Sequence, residues 1–420
     1  MLEKKEIVQI TRDAVSELMG MGYDGSKQDD LTTLSLSDLV EFGKTASNNG
    51  TTITNELWYK TLIGKCARFF VESRRLTLHI PQIFKTSYEW GGFVEFVTFN
   101  LATVYDSLIY SQAALSDPNS KFYGKSIAEI EHDLYKVEYE SKIYDEFKDF
   151  MIPYTKPNES INSGLRDESD FMVFMAGLAA AVENTLTQII NTYAHALVSV
   201  AAAYSISPAG ATAGVTGATV DGSNTAVHLV TEYKSLTGDS TWTAGKMLRD
   251  KTAYAWIENR IENVRSFMTE NTAVYNNHTK SMFGQNIHGV MLAEIYNGYE
   301  SVVAANSYNP VSLGDWQKIS GWQAVKDNNG TFTFAVNSSI AIKADGTKGI
   351  YNVSGGAITD FEQENVIALL YDEKSIGMTV EDTVTTSQYT AVTNTVNVFT
   401  NKRLNYIINT DYPMVAFVLD

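Results

Sequence analysis

Cysteine is almost absent from this 420-residue chain: Cys66 is the only one, so no intrachain disulfide can form and a disulfide-stapled extracellular scaffold is excluded. Basic residues are outnumbered, 32 Lys and Arg against 49 Asp and Glu. The resulting net charge of −17 argues against phosphate-backbone binding as the main activity, because that term needs clustered excess Lys and Arg. The opening residues, MLEKKEIVQITRDAVSELM, are charged and helical in period and lack the apolar core of a signal peptide. Synthesis and folding in a cytoplasm are therefore expected, and the Asn-x-Ser/Thr triplets at Asn158, Asn277, Asn329 and Asn337 carry no glycosylation meaning.

Catalytic signatures are missing as well. The chain has no GxxxxGK(S/T), no GxGxxG after a strand, no GxSxG elbow and no HExxH. Its six histidines, His79, His132, His195, His228, His278 and His288, are scattered, and their spacing fits neither helical ligation at i, i+4 nor a zinc knuckle. They read as surface or core histidines, with His195 a hydrogen-bonded structural imidazole beside an apolar stripe. Lys65 and Arg68 could lower the thiol pKa of Cys66, but its segment is apolar and no His partner is evident, so it reads as a buried, inert thiol. No catalytic, cofactor-binding or metal-binding residue is assigned.

With 44% hydrophobic residues the chain can bury a sizeable core, divided over two or three lobes. Its strongest pattern runs from Asp167 to Tyr204. Phe171, Met175, Leu178, Val182, Leu186, Ile189, Tyr193, Leu197, Val200 and Tyr204 follow one another at helical steps and predict one continuous apolar stripe. Asp167, Glu168 and Asp170 suit a helix N-terminus, and Ser207-Pro208-Ala209-Gly210 ends the pattern. At 1.5 Å per residue such a helix is about 55 Å long. Glu183-Asn184-Thr185 interrupts the apolar run short of the roughly 20 residues a bilayer requires, so the helix is expected to pack on protein.

Around that helix the texture varies. Residues 1–55 hold a short helical pattern and then polar runs, GYDGSKQDDLTT and TASNNGTTIT, that read as loosely tethered. Glu56 to Glu72 reads as an amphipathic helix, followed by a strand-like LTLHIP. FVEFVTFN and the alternation of Tyr135, Val137, Tyr139, Ser141 and Ile143 with Leu134, Lys136, Glu138, Glu140 and Lys142 suit the two limbs of an extended hairpin. LATVYDSLIYSQAALSD and SIAEIEHD between them read as partly helical. Residues 208–225 form a Gly/Ala/Thr-rich linker. A second helical register runs through Met247, Lys251, Tyr254, Ile257, Ile261, Val264 and Met268. Beyond Asn328 the chain is β-rich, with hairpin signals at Asn329-Gly330 and Asp345-Gly346 among TFTFAV, SIAIKA and KGIYNV. It closes with AVTNTVNVFTN, RLNYIIN and MVAFVLD, and the apolar run Met414 to Leu419 predicts a strand buried on both faces.

Two charged segments stand out. Glu129, Glu131, Asp133, Glu138, Glu140, Asp145, Glu146 and Asp149 crowd one segment, against Lys136, Lys142 and Lys148. Paired carboxylates can hydrolyse glycosides, but alternation along a wet strand face favours a charged contact surface. Lys60, Lys65, Arg68, Arg74 and Arg75 are opposite in sign. Such complementarity is what a self-assembling subunit can use across interfaces, with two unrelated solvated faces as the alternative.

Taken in order, these elements resemble the major capsid protein of tailed bacteriophages, the Hong Kong ninety-seven-like capsid fold also found in herpesvirus capsid floors, with a texture similar to small short-tailed phages. VIALLYDEKSIGMTVED followed by TNKRLNYIINTDYPMVAFVLD resembles the ending of that family. The resemblance implies an α+β fold. Residues 1–55 would be an N-terminal arm, 56–85 the first part of a peripheral domain, 86–162 an extended loop, 163–207 the spine helix, 208–370 a mixed α/β axial domain and 371–420 closing strands of the peripheral domain. It further implies a non-enzymatic protein that assembles into pentamers and hexamers forming an icosahedral virion shell around double-stranded DNA. Scaffolding and portal proteins would be partners, and neither a cofactor nor a membrane is implied. The alternative is a cell-surface or carbohydrate-active protein, for which 23 Tyr, 19 Phe, 6 Trp and the Trp316 to Trp322 pair in DWQKISGW speak.

Overall fold

The computed structural model describes residues 3–23, 33–73, 76–83, 94–99, 139–144, 147–206, 225–269, 286–302, 316–326, 331–334, 339–342, 352–353, 356–357, 361–409 and 412–420, with single positions at 118, 123 and 124. The mixture of helices and sheets is α+β. Contacts divide the chain into two compact units, and it passes between them repeatedly: unit one holds Met1–Gly92, Glu146–Ala196 and Met378–Tyr406, unit two Phe93–Asp145, Leu197–Gly377 and Ile407–Asp420.

Helix α1 (Lys4–Gly20) starts where the Glu3 N–H donates to the Glu6 carboxylate at 2.9 Å. Its Ile7, Ile10, Ala14, Val15 and Leu18 are buried, so the short helical pattern at the start of the chain is a packed helix, while most of GYDGSKQDDLTT lies outside the described residues. In α2 (Leu36–Thr45), Ser35 and Asp38 form a reciprocal capping box. The short strands β1 (Ser47–Asn48) and β2 (Thr51–Thr52) pair around Asn49 and Gly50, both at positive φ, as a tight hairpin turn requires. Helix α3 (Asn55–Ser73) buries Trp58, Leu62, Ile63, Cys66, Ala67 and Phe70, and it packs against α1.

LTLHIP is not a strand. It is irregular and ends in a 3-10 turn, Pro81–Ile83, because its backbone polar groups find side-chain and local partners instead of a ladder. The His79 N–H donates to Asn191 Oδ1 at 2.9 Å. Asn191→Ala is therefore expected to cost about 1 kcal/mol by thermal or denaturant unfolding, whereas Asn184→Ala, on an exposed position, is expected to cost almost nothing.

The two limbs of the extended hairpin are observed as β3 (Val94–Phe99) and β4 (Tyr139–Tyr144), antiparallel from Val94↔Tyr144 to Phe99↔Tyr139. The segments expected to be partly helical between them lie outside the described residues, as does the 208–225 linker apart from Thr225. Strand β5 (Phe147–Pro157) leads through α4 (Asn158–Gly164) into α5 (Glu168–Ile206), the long predicted helix, at 39 residues.

The stripe on α5 differs from the expected one in its middle. Phe171, Met175, Leu178, Val182 and Leu186 are buried as anticipated, but Ile190 and Ala194 carry the stripe onward while Ile189 and Tyr193 are only half-buried. A step of four from Leu186 reaches Ile190 and a step of three reaches Ile189, both helical steps to an isoleucine, so the neighbouring surface makes the choice. From Ala196 to Ser205 every residue is buried, and the division between the two units falls at Ala196/Leu197. An 18-residue window of α5 reaches a mean hydropathy of 1.4, so length and composition alone would let it cross a membrane despite the Glu183 interruption.

Unit two is built on a five-stranded sheet. In chain order its region contributes β6 (Thr225–His228), α6 (Leu229–Thr237), α7 (Ala244–Met247), α8 (Lys251–Thr269), β7 (Ile287–Leu292), α9 (Ala293–Val302) and β8 (Trp316–Ile319). The second helical register is borne out at Tyr254, Ile257, Ile261, Val264 and Met268, which are buried on α8; Lys251 is exposed, and Met247 belongs to the separate short helix α7.

Next come β9 (Gln323–Lys326), β10 (Thr331–Phe334), β11 (Ile340–Ile342), β12 (Asn352–Val353), β13 (Gly356–Ala357) and β14 (Phe361–Gln363). β9 and β10 pair antiparallel across Asn329-Gly330, as that dipeptide signals. No such pairing across Asp345-Gly346 is described: β11 pairs in parallel with β9 and antiparallel with β14, long-range partners that a local turn signal cannot announce.

The chain ends in β15 (Val366–Asp372), β16 (Ile376–Thr390), β17 (Thr395–Ile408) and β18 (Met414–Val418). Ala391–Asn394 of AVTNTVNVFTN form a turn, and the rest of it runs on into RLNYIIN as one long strand, β17. The five-stranded order is β6-β18-β15-β7-β8, and every residue of β15 and β18 is buried, as their apolar runs predict. Gly289 on β7 has to be glycine: a Cβ there would lie 2.5 Å from the Trp316 ring. In a second sheet, β16-β17-β5, the central β17 pairs antiparallel with β5 from Thr395↔Pro157 to Asn405↔Phe147.

Candidate functional site

Strand β17 alternates from Thr395 to Leu404. Val396, Val398, Thr400, Lys402 and Leu404 are buried, whereas Thr395, Asn397, Phe399, Asn401 and Arg403 are half-buried on the opposite face. Its neighbour β5 keeps the same phase, with Ile152 and Tyr154 buried and Met151, Pro153 and Thr155 exposed. Since Asn397 pairs with Thr155, Phe399 with Pro153 and Asn401 with Met151, these residues form one outward surface. It is tied by side chains at one end: the Thr155 hydroxyl donates to Asn397 Oδ1 at 2.8 Å, and Asn397 Nδ2 donates to Thr390 Oγ1 at 2.9 Å. At the other end Arg403 Nε meets Asp149 Oδ1 at 2.9 Å. Met151 is 57% exposed, and on the neighbouring hairpin Val384 is 55% and Val392 95% exposed. The outward face of this sheet is part amide and part apolar.

Of the acidic segment, Asp149 is spent on Arg403 within the chain. Glu140 lies on β4, and Glu129, Glu131, Asp133, Glu138, Asp145 and Glu146 fall outside the described residues. Of the basic cluster, Lys65 meets Glu17 of α1 at 2.6 Å, Lys60 is half-buried, Arg68 is exposed, and Arg74 and Arg75 are outside the described residues. The two described ion pairs thus join each cluster to a different partner, not to one another.

Cys66 is fully buried, and burial pushes its thiol up to about 12, the inert state expected. His195 does have a structural hydrogen bond: its Nε2 lies 3.0 Å from Nδ1 of His79. The ring centroids are 5.0 Å apart with 16° between planes, so the rings meet nearly end to end. Burial, and secondarily the His79 charge, lower His195 to about 4, keeping it neutral near pH 7. Sequence spacing could not show this pair, whose members are 116 positions apart. His228 meets Asp420, and His288 lies beside the Tyr371 ring; His132 and His278 are outside the described residues.

Trp316 and Trp322 are not a sugar platform. Trp322 is fully buried with its Nε1 donating to the Val366 carbonyl at 2.7 Å, and Trp316 is 8% exposed under the Arg265 guanidinium. Among the described residues no group of three His, Cys, Asp or Glu side chains is arranged to hold a metal ion. An open cleft of about 520 Å³ is lined by Thr243, Gly245, Lys246, Arg249 and Asp250. Lys246 is engaged there with Asp239, Thr241 and the Trp242 ring.

No family model matches this chain, and no curated protein matches it. Among solved structures it is similar to a chain from the structure of the head fiber and inner core protein gp22 of native bacteriophage P68, at 9% identity and a TM-score of 0.43, covering 82% of this chain and 85% of that one. It is also similar to the capsid structure of Staphylococcus phage Andhra, at 10% identity and a TM-score of 0.42, covering 81% and 83%. A further likeness is to the capsid structure of the cyanophage P-SCSP1u, at 8% identity and a TM-score of 0.36, covering 80% and 86%. At these identities and scores the likeness defines no function for this chain.

Proposed function

We propose that this chain is a major capsid protein of a tailed bacteriophage, a subunit that assembles with copies of itself into pentamers and hexamers of an icosahedral head enclosing double-stranded DNA. The observation that carries the reading is the path of the chain. It leaves unit one for the β3–β4 strand pair, returns through β5 into the 39-residue α5, traverses unit two, and comes back to lay β17 beside β5. Among the described residues β3 and β4 form a two-stranded sheet, which is marginal in water by itself and gains stability when a neighbour covers it. The net charge of −17 suits a shell whose lining does not hold phosphate, so that DNA can slide during packaging.

On this reading residues 1–55 serve as the arm, although α1 is docked within unit one, 86–162 serve as the extended loop and 163–207 as the spine. Scaffolding and portal proteins are the partners, and the virion is the location. The cell-surface or carbohydrate-active alternative rested on the aromatic content and on the Trp316 to Trp322 pair, and that pair belongs to the core.

Negative-stain microscopy and sedimentation test the reading. Co-expressed with a scaffolding protein, the chain is expected to enter shells tens of nanometres across; a strictly monomeric protein with turnover on a small substrate would overturn it. Reversing Glu138 and Glu140 to Lys is expected to block or misdirect assembly with helix content unchanged, since surface charges contribute only about 0–1 kcal/mol each to stability. Normal particles from that double variant would remove the returning limb from the interface.

A further inference from the structure

Among the described residues the five-stranded sheet ends on β6, a four-residue edge strand paired in parallel with β18 from Thr225↔Val415 to His228↔Val418. Asp420, two residues past β18, fastens that edge at three points. Its main-chain oxygen accepts from the Thr231 N–H at 3.0 Å and from the Thr231 hydroxyl at 3.2 Å, and its Oδ1 lies 2.7 Å from His228 Nδ1. Thr231 is in the first turn of α6, whose N-cap His228 provides no side-chain cap. Asp420 thus satisfies an orphan N–H of the helix start from 189 positions away.

We propose that His228 and Asp420 form a proton-dependent latch that holds the edge strand β6 and the start of α6 against β18. An imidazolium donates from Nδ1 in every case and adds charge attraction, whereas a neutral imidazole donates there in one tautomer only. The charged groups facing His228 are Asp420 beyond β18 and Glu232 on α6; Glu232 is itself held by Arg260 of α8 at 2.7 Å. The hydrogen bond to Asp420 raises His228 above its ordinary value, burial opposes this, and the Asp420 and Glu232 charges add to the rise.

The sign follows from that rise. A group raised in the folded state contributes stability that is fully present below its unfolded value and is lost as pH rises through the folded one. Deprotonation therefore loosens the latch. Freed of β6, the edge of β18 would present unpaired main-chain groups on a fully buried apolar strand, a template for strand addition. None of this depends on the capsid reading.

The test is an NMR titration of the full chain between about pH 5 and 8, with hydrogen exchange at Ala226, Val227 and Thr231 corrected for intrinsic rates. His228 is expected to titrate above 6.5. Thr231 protection should fall several-fold as pH passes that titration. In H228Q the pH dependence of protection should vanish, and in D420N the His228 titration should move down. A His228 titration at or below 6.5, or a Thr231 pH dependence unchanged in H228Q, overturns the latch.

Discussion

Val182→Asp in α5 is expected to remove soluble protein. Val182 is 0% exposed, so the substitution buries a carboxylate among apolar side chains and costs about 4 kcal/mol or more, a large share of any domain's stability. Ile190→Asp should be equally damaging, because Ile190 is also 0% exposed. Ile189→Asp is the informative comparison. Ile189 is half-buried, its carboxylate can reach water, and the loss should be distinctly smaller. Soluble yield and thermal midpoint for the three variants, measured beside Asn184→Ala, check the phase of the stripe. Equal loss at Ile189 and Ile190 would contradict the packing described for α5.

Trp322→Ala carries the other large effect. The side chain is fully buried, and removing it leaves a cavity worth about 3–5 kcal/mol together with an unpaired Val366 carbonyl. Trp322→Phe should be intermediate, since it also loses the Nε1 donor but keeps part of the ring volume. Denaturant unfolding would rank the two. Wild-type stability in Trp322→Ala would show that the indole is not part of the core, and would return the DWQKISGW segment to the surface and to ligand binding.

Much of α5 could be read directly from residue order because the signal is local and long. Charged residues at Glu168 and Asp170, apolar steps of three and four, and a Ser-Pro-Ala-Gly ending all depend on neighbours along the chain. The same holds for β15 and β18, whose unbroken apolar runs require burial on both faces, and for the β3 and β4 alternation. LTLHIP misled for the converse reason. Its apolar alternation is that of a strand, but a strand needs a partner, and the His79 N–H was given to Asn191 on a distant helix.

The candidate contact surface was partly legible. Alternation in TVNVFTNKRL marks one wet face, but which residues of β5 share that face depends on a register between positions about 240 apart. Sequence complementarity between the acidic and basic clusters pointed to contacts across subunit interfaces; within the chain, the described ion pairs join Lys65 to Glu17 and Asp149 to Arg403. Charges within reach of several opposite partners carry no address in the sequence, because Coulomb attraction is non-specific until the backbone brings two groups within a few ångströms.

The sequence by itself determined the existence, type and approximate ends of α5, the buried character of β15 and β18, the inert burial of Cys66 and the acidic balance of the whole, since each follows from the local order or the composition of side chains. Tertiary structure alone decided that Ile190 and not Ile189 faces inward, that His79 meets His195, that Asp420 caps α6 at His228, and that Trp316 and Trp322 lie inside. Those outcomes depend on which surfaces meet after the chain has folded back over tens to hundreds of residues, and periodicity restricts that choice without making it.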